Sequence, residues 1–433
     1  PRVRRQRQMC IRDSDNTVSK LLQLNGSTVE SIKEALKIDL TEDKSIELLT
    51  DMENEKLLCR NEVSHDESQE IEKANFSALT LMLAQECNMR CSYCYGEGGE
   101  YNNKGIMTEN VAFQAIDYLV KNSTDELLHI AFLGGEPLLN FPLLKKVVEY
   151  CKQISADTGK KFSYTITTNG TLITDNIEKY LTENKIVCQI SLDGTKEKND
   201  MNRFFRNKKG SYDVIVEKTK SMRHMNLVTA RATVTPDNSD YKEIFNHLNE
   251  LEFRAIPIAI AQNMVDDEQF DKILSEYINY IFYFEELILT KQYAKAKKMT
   301  DLVNALEKIE FGNVRNNGCG AGRTMFAVDI DGTLYPCHRF VGERKFALGN
   351  IWTGSDNSKF LKMINVRNRD KCSKCWAQNL CLGCCPHENY TNTNNINLAS
   401  ERSCRMAKTI YEKLISVYIK MSDEDKKMMW PED

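Results

Sequence analysis

Between residues 79 and 260 the chain alternates short apolar runs with longer amphipathic stretches. The runs Leu79–Leu83, His129–Leu133, Phe162–Thr168, Ile186–Leu192, Val228–Val234 and Ile256–Ile260 have the length and bounding residues of buried strands. Stretches between them, such as Val111–Val120 and Leu143–Ile154, carry apolar residues at helical spacing. This alternation predicts βα units around a parallel sheet, an α/β fold. From about Met264 to Gly312 the pattern is helical, and the stripe Tyr277, Tyr280, Phe284 has the spacing of a core face. Further on, Asp331-Gly332 reads as a hairpin turn between Ala327–Ile330 and Leu334–Pro336.

The N-terminal part differs. Pro1 to about Ser14 is dense in Arg and resembles an adapter-like scar, so it is set aside from fold reasoning. Ser27-x-x-Glu30 predicts a capping box opening a helix with Val29, Ile32 and Leu36 on one side. Thr41 is placed to cap a second helix carrying Ile46, Leu49 and Met52 and ending near Leu57-Leu58. The polar stretch Asn61 to Lys73 reads as a linker.

A length of 433 residues implies two or three domains, and 41% hydrophobic content supports an ordinary core. A net charge of −4 gives no general field for nucleic acid or an anionic membrane, so neither is an expected partner. Tyr280–Phe284 is too short to span a bilayer, and no secretory signal pattern is present. A cytoplasmic location is expected.

Fifteen cysteines are too many for a reducing compartment unless most are ligands. Cys10, Cys59, Cys151 and Cys188 are scattered, and the last two read as small buried hydrophobes. Cys87, Cys91 and Cys94 have the spacing C-x3-C-x2-C. Three thiolates are one short of the set that closes a 4Fe–4S cube. A zinc site would want a fourth Cys or His nearby, and none follows Cys94 closely. Gly134-Gly135-Glu136-Pro137 comes after a strand-like run, where glycines permit close backbone approach and a carboxylate can take an ammonium group. A second array runs Cys319, Gly332 and Cys337, then Cys372-x2-Cys375-x5-Cys381-x3-Cys385, then Cys404.

The first triplet with Gly-Gly-Glu-Pro resembles the radical S-adenosylmethionine (SAM) superfamily. The second array resembles, cysteine for cysteine, the SPASM domain that follows such cores. The resemblance covers roughly residues 76–410. It implies a partial (β/α)6 radical SAM barrel, a C-terminal SPASM domain and a small N-terminal helical unit that is winged-helix-like, its completeness left open, with a helical hairpin packed on the enzyme as the rival. Chemistry should gather at the C-terminal strand ends, as barrels require. The implied divisions are 1–14 non-native or disordered, 15–75 peptide-recognition-like with linker, 76–263 radical SAM core, 264–312 helical bridge, and 313–433 SPASM domain with C-terminal helix.

Within that resemblance, the open iron on Cys87, Cys91 and Cys94 takes SAM, whose reductive cleavage makes a 5′-deoxyadenosyl radical. Gly134, Gly135, Glu136 and Pro137 face the SAM amino group. Asn169, Ser191 and Asp193 approach its carboxylate and ribose, and Tyr93 the adenine. Arg203 resembles a position near substrate or cofactor, with a surface ion pair as its rival. Cys372, Cys375, Cys381 and Cys404 would hold an outer auxiliary cluster, and Cys319, Cys337 and Cys385 an inner one. Three 4Fe–4S clusters and SAM are thus the expected cofactors. Some relatives carry a fourth inner cysteine six residues before the first, where this chain has Asn313. The inner cluster would then keep one iron open. Cys384 is an extra thiol whose place is left open.

The resemblance implies a peptide maturase that installs a thioether crosslink in a ribosomally made precursor with a leader, supplied with electrons by a flavodoxin or ferredoxin. Carbon–carbon crosslinking and sulfatase-maturase-like formylglycine formation are the enzymatic alternatives. A non-catalytic zinc- or cluster-binding protein is the alternative from another class, and Gly-Gly-Glu-Pro with six βα units speaks against it.

Overall fold

The structure, a computed structural model, describes residues 20–21, 24, 27–37, 40–54, 74–312 and 318–431. Cys10, Cys59, Leu57-Leu58, the 61–73 stretch and Asn313 lie outside the described residues.

Six parallel strands carry the central part: β1 (Ala78–Gln85), β3 (Leu127–Gly134), β4 (Lys161–Thr168), β5 (Val187–Ser191), β6 (Val228–Val234) and β7 (Ile258–Ile260). They lie side by side in that order. The short strand β2 (Gly105–Ile106) pairs antiparallel with the end of β1. Helices α3 (Glu109–Lys121), α4 (Phe141–Thr158) and α5 (Asp175–Glu183) connect successive strands, as parallel pairing demands. Threonines 108 and 174 cap α3 and α5, each side chain accepting a backbone N–H of the first turn. Leu79, Leu81, Leu128, Ile130, Ile166, Ile190, Ala230 and Ala232 are buried in one core. This is the predicted α/β architecture, a partial barrel of six βα units.

The sheet does not stop at β1. Strand β8 (Met325–Val328) pairs parallel with β1, then turns through Gly332 into antiparallel β9 (Thr333–Tyr335). Two further short strands, β10 (Gly349–Asn350) and β11 (Gly354–Ser355), finish that edge. The C-terminal cysteine domain is therefore built onto the barrel sheet itself. Between the two, α6 (Asp267–Leu289) buries Tyr277, Tyr280 and Phe284, as the stripe predicted. Helix α8 (Glu401–Lys420) packs against both it and α7 (Thr300–Phe311). Among the described residues, no helix is long and apolar enough to cross a membrane.

The N-terminal helices, α1 (Val29–Leu36) and α2 (Glu42–Asn54), form where predicted, with a different buried face. Thr28, not Ser27, caps α1, its Oγ1 accepting from the Ser31 N–H at 3.2 Å. Val29 and Ile46 are exposed. Ile32, Leu36, Leu48 and Leu49 make a small core of their own with Leu21, Leu24 and Leu40. With so few turns, a stripe through Leu48-Leu49 and one through Ile46-Leu49 both have helical period, and packing selected the first.

A cysteine-lined chamber at the strand ends

The segment after β1 carries Cys87, Cys91 and Cys94, all partly exposed to one chamber of about 790 Å³. Its shape is set by local chemistry. Arg90 Nη1 donates to the Cys87 and Met89 carbonyls at 2.9 and 2.7 Å, and Arg206 Nη2 reaches the same Cys87 carbonyl at 2.8 Å. Two guanidiniums thus fold the segment around its own backbone. The paired glycines after β3 explain the rest. A Cβ on Gly134 would sit 2.2 Å from the Ala84 carbonyl oxygen, and one on Gly135 2.3 Å from that of Glu86. These glycines let the cysteine segment lie against the strand end, and both also line the chamber.

Glu136 is fully buried behind that wall. Its Oε1 accepts from Leu138 N–H at 3.0 Å and Thr168 Oγ1 at 2.7 Å, and its Oε2 from Asn169 N–H at 2.8 Å. The carboxylate therefore braces the turn after β3 to the end of β4, and Oε2 keeps spare acceptor capacity. Burial pushes its pKa up, and the three donors oppose that. Pro137 opens the 3-10 turn behind it.

Asn169 and Ser191 line the chamber. Asn169 also bonds Asn88 and Thr171, tying the β4 end to the cysteine segment. Asp193 is buried, with Oδ1 accepting from Thr233 N–H at 2.9 Å and Oδ2 from the Tyr93 hydroxyl at 2.5 Å. Arg203 Nη1 in turn donates to Tyr93 at 2.8 Å. So Asp193, Tyr93 and Arg203 form one chain of contacts in which Asp193 positions the other two. Arg203 is buried, which removes its surface-ion-pair reading.

Sequence patterning missed part of the lining. His338, Arg339, His387 and Glu388 from the C-terminal domain line the chamber, with Arg231 and Gln189 from the strands. Proximity to Cys337 and Cys385 in sequence was the available signal for the first four. Burial holds both imidazoles near a pKa of about 4, so they are neutral at ordinary pH.

The C-terminal thiols fall into two groups. Cys337, Cys385 and Cys319 lie within electrostatic reach of one another. Cys372, Cys375, Cys381 and Cys404 form the second group. Cys384 sits with the second: its Sγ is 3.5 Å from Cys381 Sγ and 3.7 Å from the Ser403 carbonyl oxygen. The close contact between the two sulfurs couples the thiols, lowering the pKa of one, Cys381, and raising that of the other, Cys384. The adjacent Cys384 and Cys385 diverge because Leu382, Gly383 and Cys384 all have positive φ. Arg369 and Asn389 hold that reversal through the Gly383 carbonyl, at 2.9 and 3.0 Å.

The donor chemistry fits iron–sulfur clusters. Three thiols without a carboxylate or imidazole ligand beside them share one short segment, and soft thiolates suit such clusters. Burial pushes Cys91 up to about 11 and Cys337 up to about 12, and bound iron would overcome that by deprotonating them outright. The zinc alternative wants four donors about one ion. Cys87, Cys91 and Cys94 supply three, and no fourth Cys or His follows Cys94 closely in the sequence.

Comparison with known proteins decides the family. Residues 82–251 match the radical SAM superfamily, and 319–376 match SPASM, an iron–sulfur cluster-binding domain. An uncharacterized protein of Methanocaldococcus jannaschii, MJ0907, is 33% identical over 48% of this chain and 74% of its own. The chain belongs to the radical SAM superfamily. It is similar to a cysteine-type anaerobic sulfatase-maturating enzyme of Clostridium novyi, at 26% identity over 79% of this chain and 96% of the relative. In fold it is similar to anSMEcpe, solved with bound AdoMet and a Cp18Cys peptide, with TM-score 0.67 and 22% identity over 80% of this chain and 100% of that one. The radical SAM enzyme described here thus carries its SPASM domain on the same sheet as its barrel.

Proposed function

We propose that this radical SAM/SPASM enzyme installs a thioether crosslink in a ribosomally made precursor peptide. The observation that carries the reading is a single chamber lined both by Cys87, Cys91 and Cys94 and by residues flanking Cys337 and Cys385. Cys87, Cys91 and Cys94 would hold the SAM-binding cluster. Cys319, Cys337 and Cys385 would hold an inner auxiliary cluster, and Cys372, Cys375, Cys381 and Cys404 an outer one. When bound, the first cluster and SAM would supply a 5′-deoxyadenosyl radical for hydrogen abstraction.

This chain's own residues do the rest. Gly134 and Gly135 give backbone access beside the cysteine segment, Asn169 and Ser191 present polar groups for the cofactor, and Glu136, buried behind the glycines, would meet an ammonium group only where one reaches past them to Oε2. The Asp193–Tyr93–Arg203 chain fixes an aromatic ring and a cation at the chamber wall. Neutral His338 and His387 line the substrate side without adding charge. The domain divisions read from the sequence, a leader-binding role for residues 15–75 and a flavodoxin or ferredoxin reductant belong to this same proposal.

Formylglycine formation is the second reading, supported by the similarity to the Clostridium novyi enzyme along nearly its whole length. One experiment separates the two. The anaerobically reconstituted enzyme is incubated with SAM, dithionite and a Cys-containing precursor, and the product is read by tandem mass spectrometry. A crosslink removes a pair of hydrogens and one alkylatable thiol, while formylglycine removes the sulfur and leaves an aldehyde. Asn313→Cys should suppress crosslinking while SAM cleavage persists. Full crosslinking in that variant, with four cysteines shown on the inner cluster, would contradict direct thiol capture there.

A further inference from the structure

Three guanidiniums reach the chamber: Arg203, Arg231 and Arg339. Two have answering groups. Arg339 Nη1 donates to Glu388 Oε1 at 2.9 Å and its plane lies over the Tyr95 ring. Arg203 connects through Tyr93 to Asp193. Arg231 has none: among the described residues, nothing forms a hydrogen bond or ion pair with its guanidinium. It stands on β6, beside Ser191 of β5, and its strand neighbours Ala230 and Ala232 are buried in the core while it lines the chamber. Burial works against its charge, and so does the like charge of Arg339. Asp301 favours it only from beyond ion-pair reach.

Arg231 is half-buried, and its guanidinium opens on the chamber with its hydrogen-bond donors uncommitted to protein among the described residues. Its partner is therefore expected from a ligand. A guanidinium fork matches a carboxylate with two parallel hydrogen bonds. We propose that Arg231 anchors a carboxylate subsite that takes an acidic side chain or the C-terminal carboxylate of the peptide substrate. The proposal rests on the maturase reading above. SAM also carries a carboxylate, and Ser191 is the strand neighbour of Arg231. Arg339 argues for the peptide: it belongs to the segment after Cys337, and it lines the same chamber as Arg231 with its field reaching that guanidinium.

The test uses the whole reconstituted protein, saturated with SAM under anaerobic conditions. Isothermal titration compares N-acetyl-aspartate N-methylamide with N-acetyl-asparagine N-methylamide. The wild type should prefer the acid by at least about tenfold, the scale of a hydrogen bond to a charged group. Arg231→Gln should erase the preference, and Arg231→Lys should keep part of it. SAM is titrated separately into each protein. Equal binding of the two probes by the wild type overturns the proposal. So does a tenfold loss of SAM affinity in Arg231→Gln with the probe preference intact, which assigns the carboxylate to SAM. If both variants fail to hold iron, the wild-type probe pair decides alone. A wild type without iron or SAM binding defeats the maturase reading, whereas normal iron and SAM without the preference defeats only this subsite.

Discussion

The two cysteine regions are built in opposite ways. The barrel triplet hangs from the end of one strand in a six-strand parallel sheet, clamped by glycines, Arg90, Arg206 and the Glu136 brace. Its frame is made of strand, glycine, guanidinium and carboxylate contacts. The outer C-terminal thiols instead come from four-residue helices at Asp370–Ser373 and Gln378–Cys381, a left-handed reversal, and the first turn of α8. Helices that short do not hold themselves together. In the barrel the fold positions the ligands. In the C-terminal domain a bound cluster would itself contribute to the fold, because metal binding at such a site is also folding free energy.

The largest effect should come from the region without a frame. Replacing Cys372, Cys375, Cys381 and Cys404 by Ala should open the 370–404 segment to limited proteolysis while the 78–260 sheet stays resistant. Equal resistance of both regions would erase the contrast. Gly135→Ala tests the clamp from the other side. Its Cβ would lie 2.3 Å from the Glu86 carbonyl oxygen, so the cysteine segment must shift. Overpacking of this kind costs about 1–3 kcal/mol, and iron on the first cluster should fall by more than half in metal analysis. Glu136→Ala should keep all iron but weaken SAM binding by about 1.5–3 kcal/mol in equilibrium dialysis, because an ammonium loses a charged partner. Unchanged affinity would leave Glu136 as a brace only. The smallest effect belongs to Cys384→Ala. Its thiol turns to the outer group, so the inner-cluster electron paramagnetic resonance signal should not move.

The barrel was legible because its signals are local and repeated. Val228–Val234 was bounded residue for residue, and both cysteine arrays announce themselves by spacing. Other features were less visible. Gly134-Gly135 read as room for a ligand, yet their first requirement is the neighbouring backbone of Ala84 and Glu86. Asp193 read as a cofactor contact, and its bonds to Thr233 of β6 and to Tyr93 were not visible from its strand-end position. Arg231 gave no signal, since one charge in an alternating strand looks like a solvent face until the sheet curls round it. Cys384 could not be assigned from its neighbour Cys385, because three successive positive φ angles separate their directions.

The most direct test replaces Cys87, Cys91 and Cys94 together by Ala and compares iron, sulfide and SAM cleavage with the wild type after anaerobic reconstitution. Cluster stoichiometry predicts about twelve irons and twelve sulfides per wild-type chain. The variant should lose about a third of both, cleave no SAM, and keep its auxiliary clusters and protease resistance. Stoichiometric zinc with little sulfide in the wild type, or SAM cleavage surviving in the variant, would contradict the account.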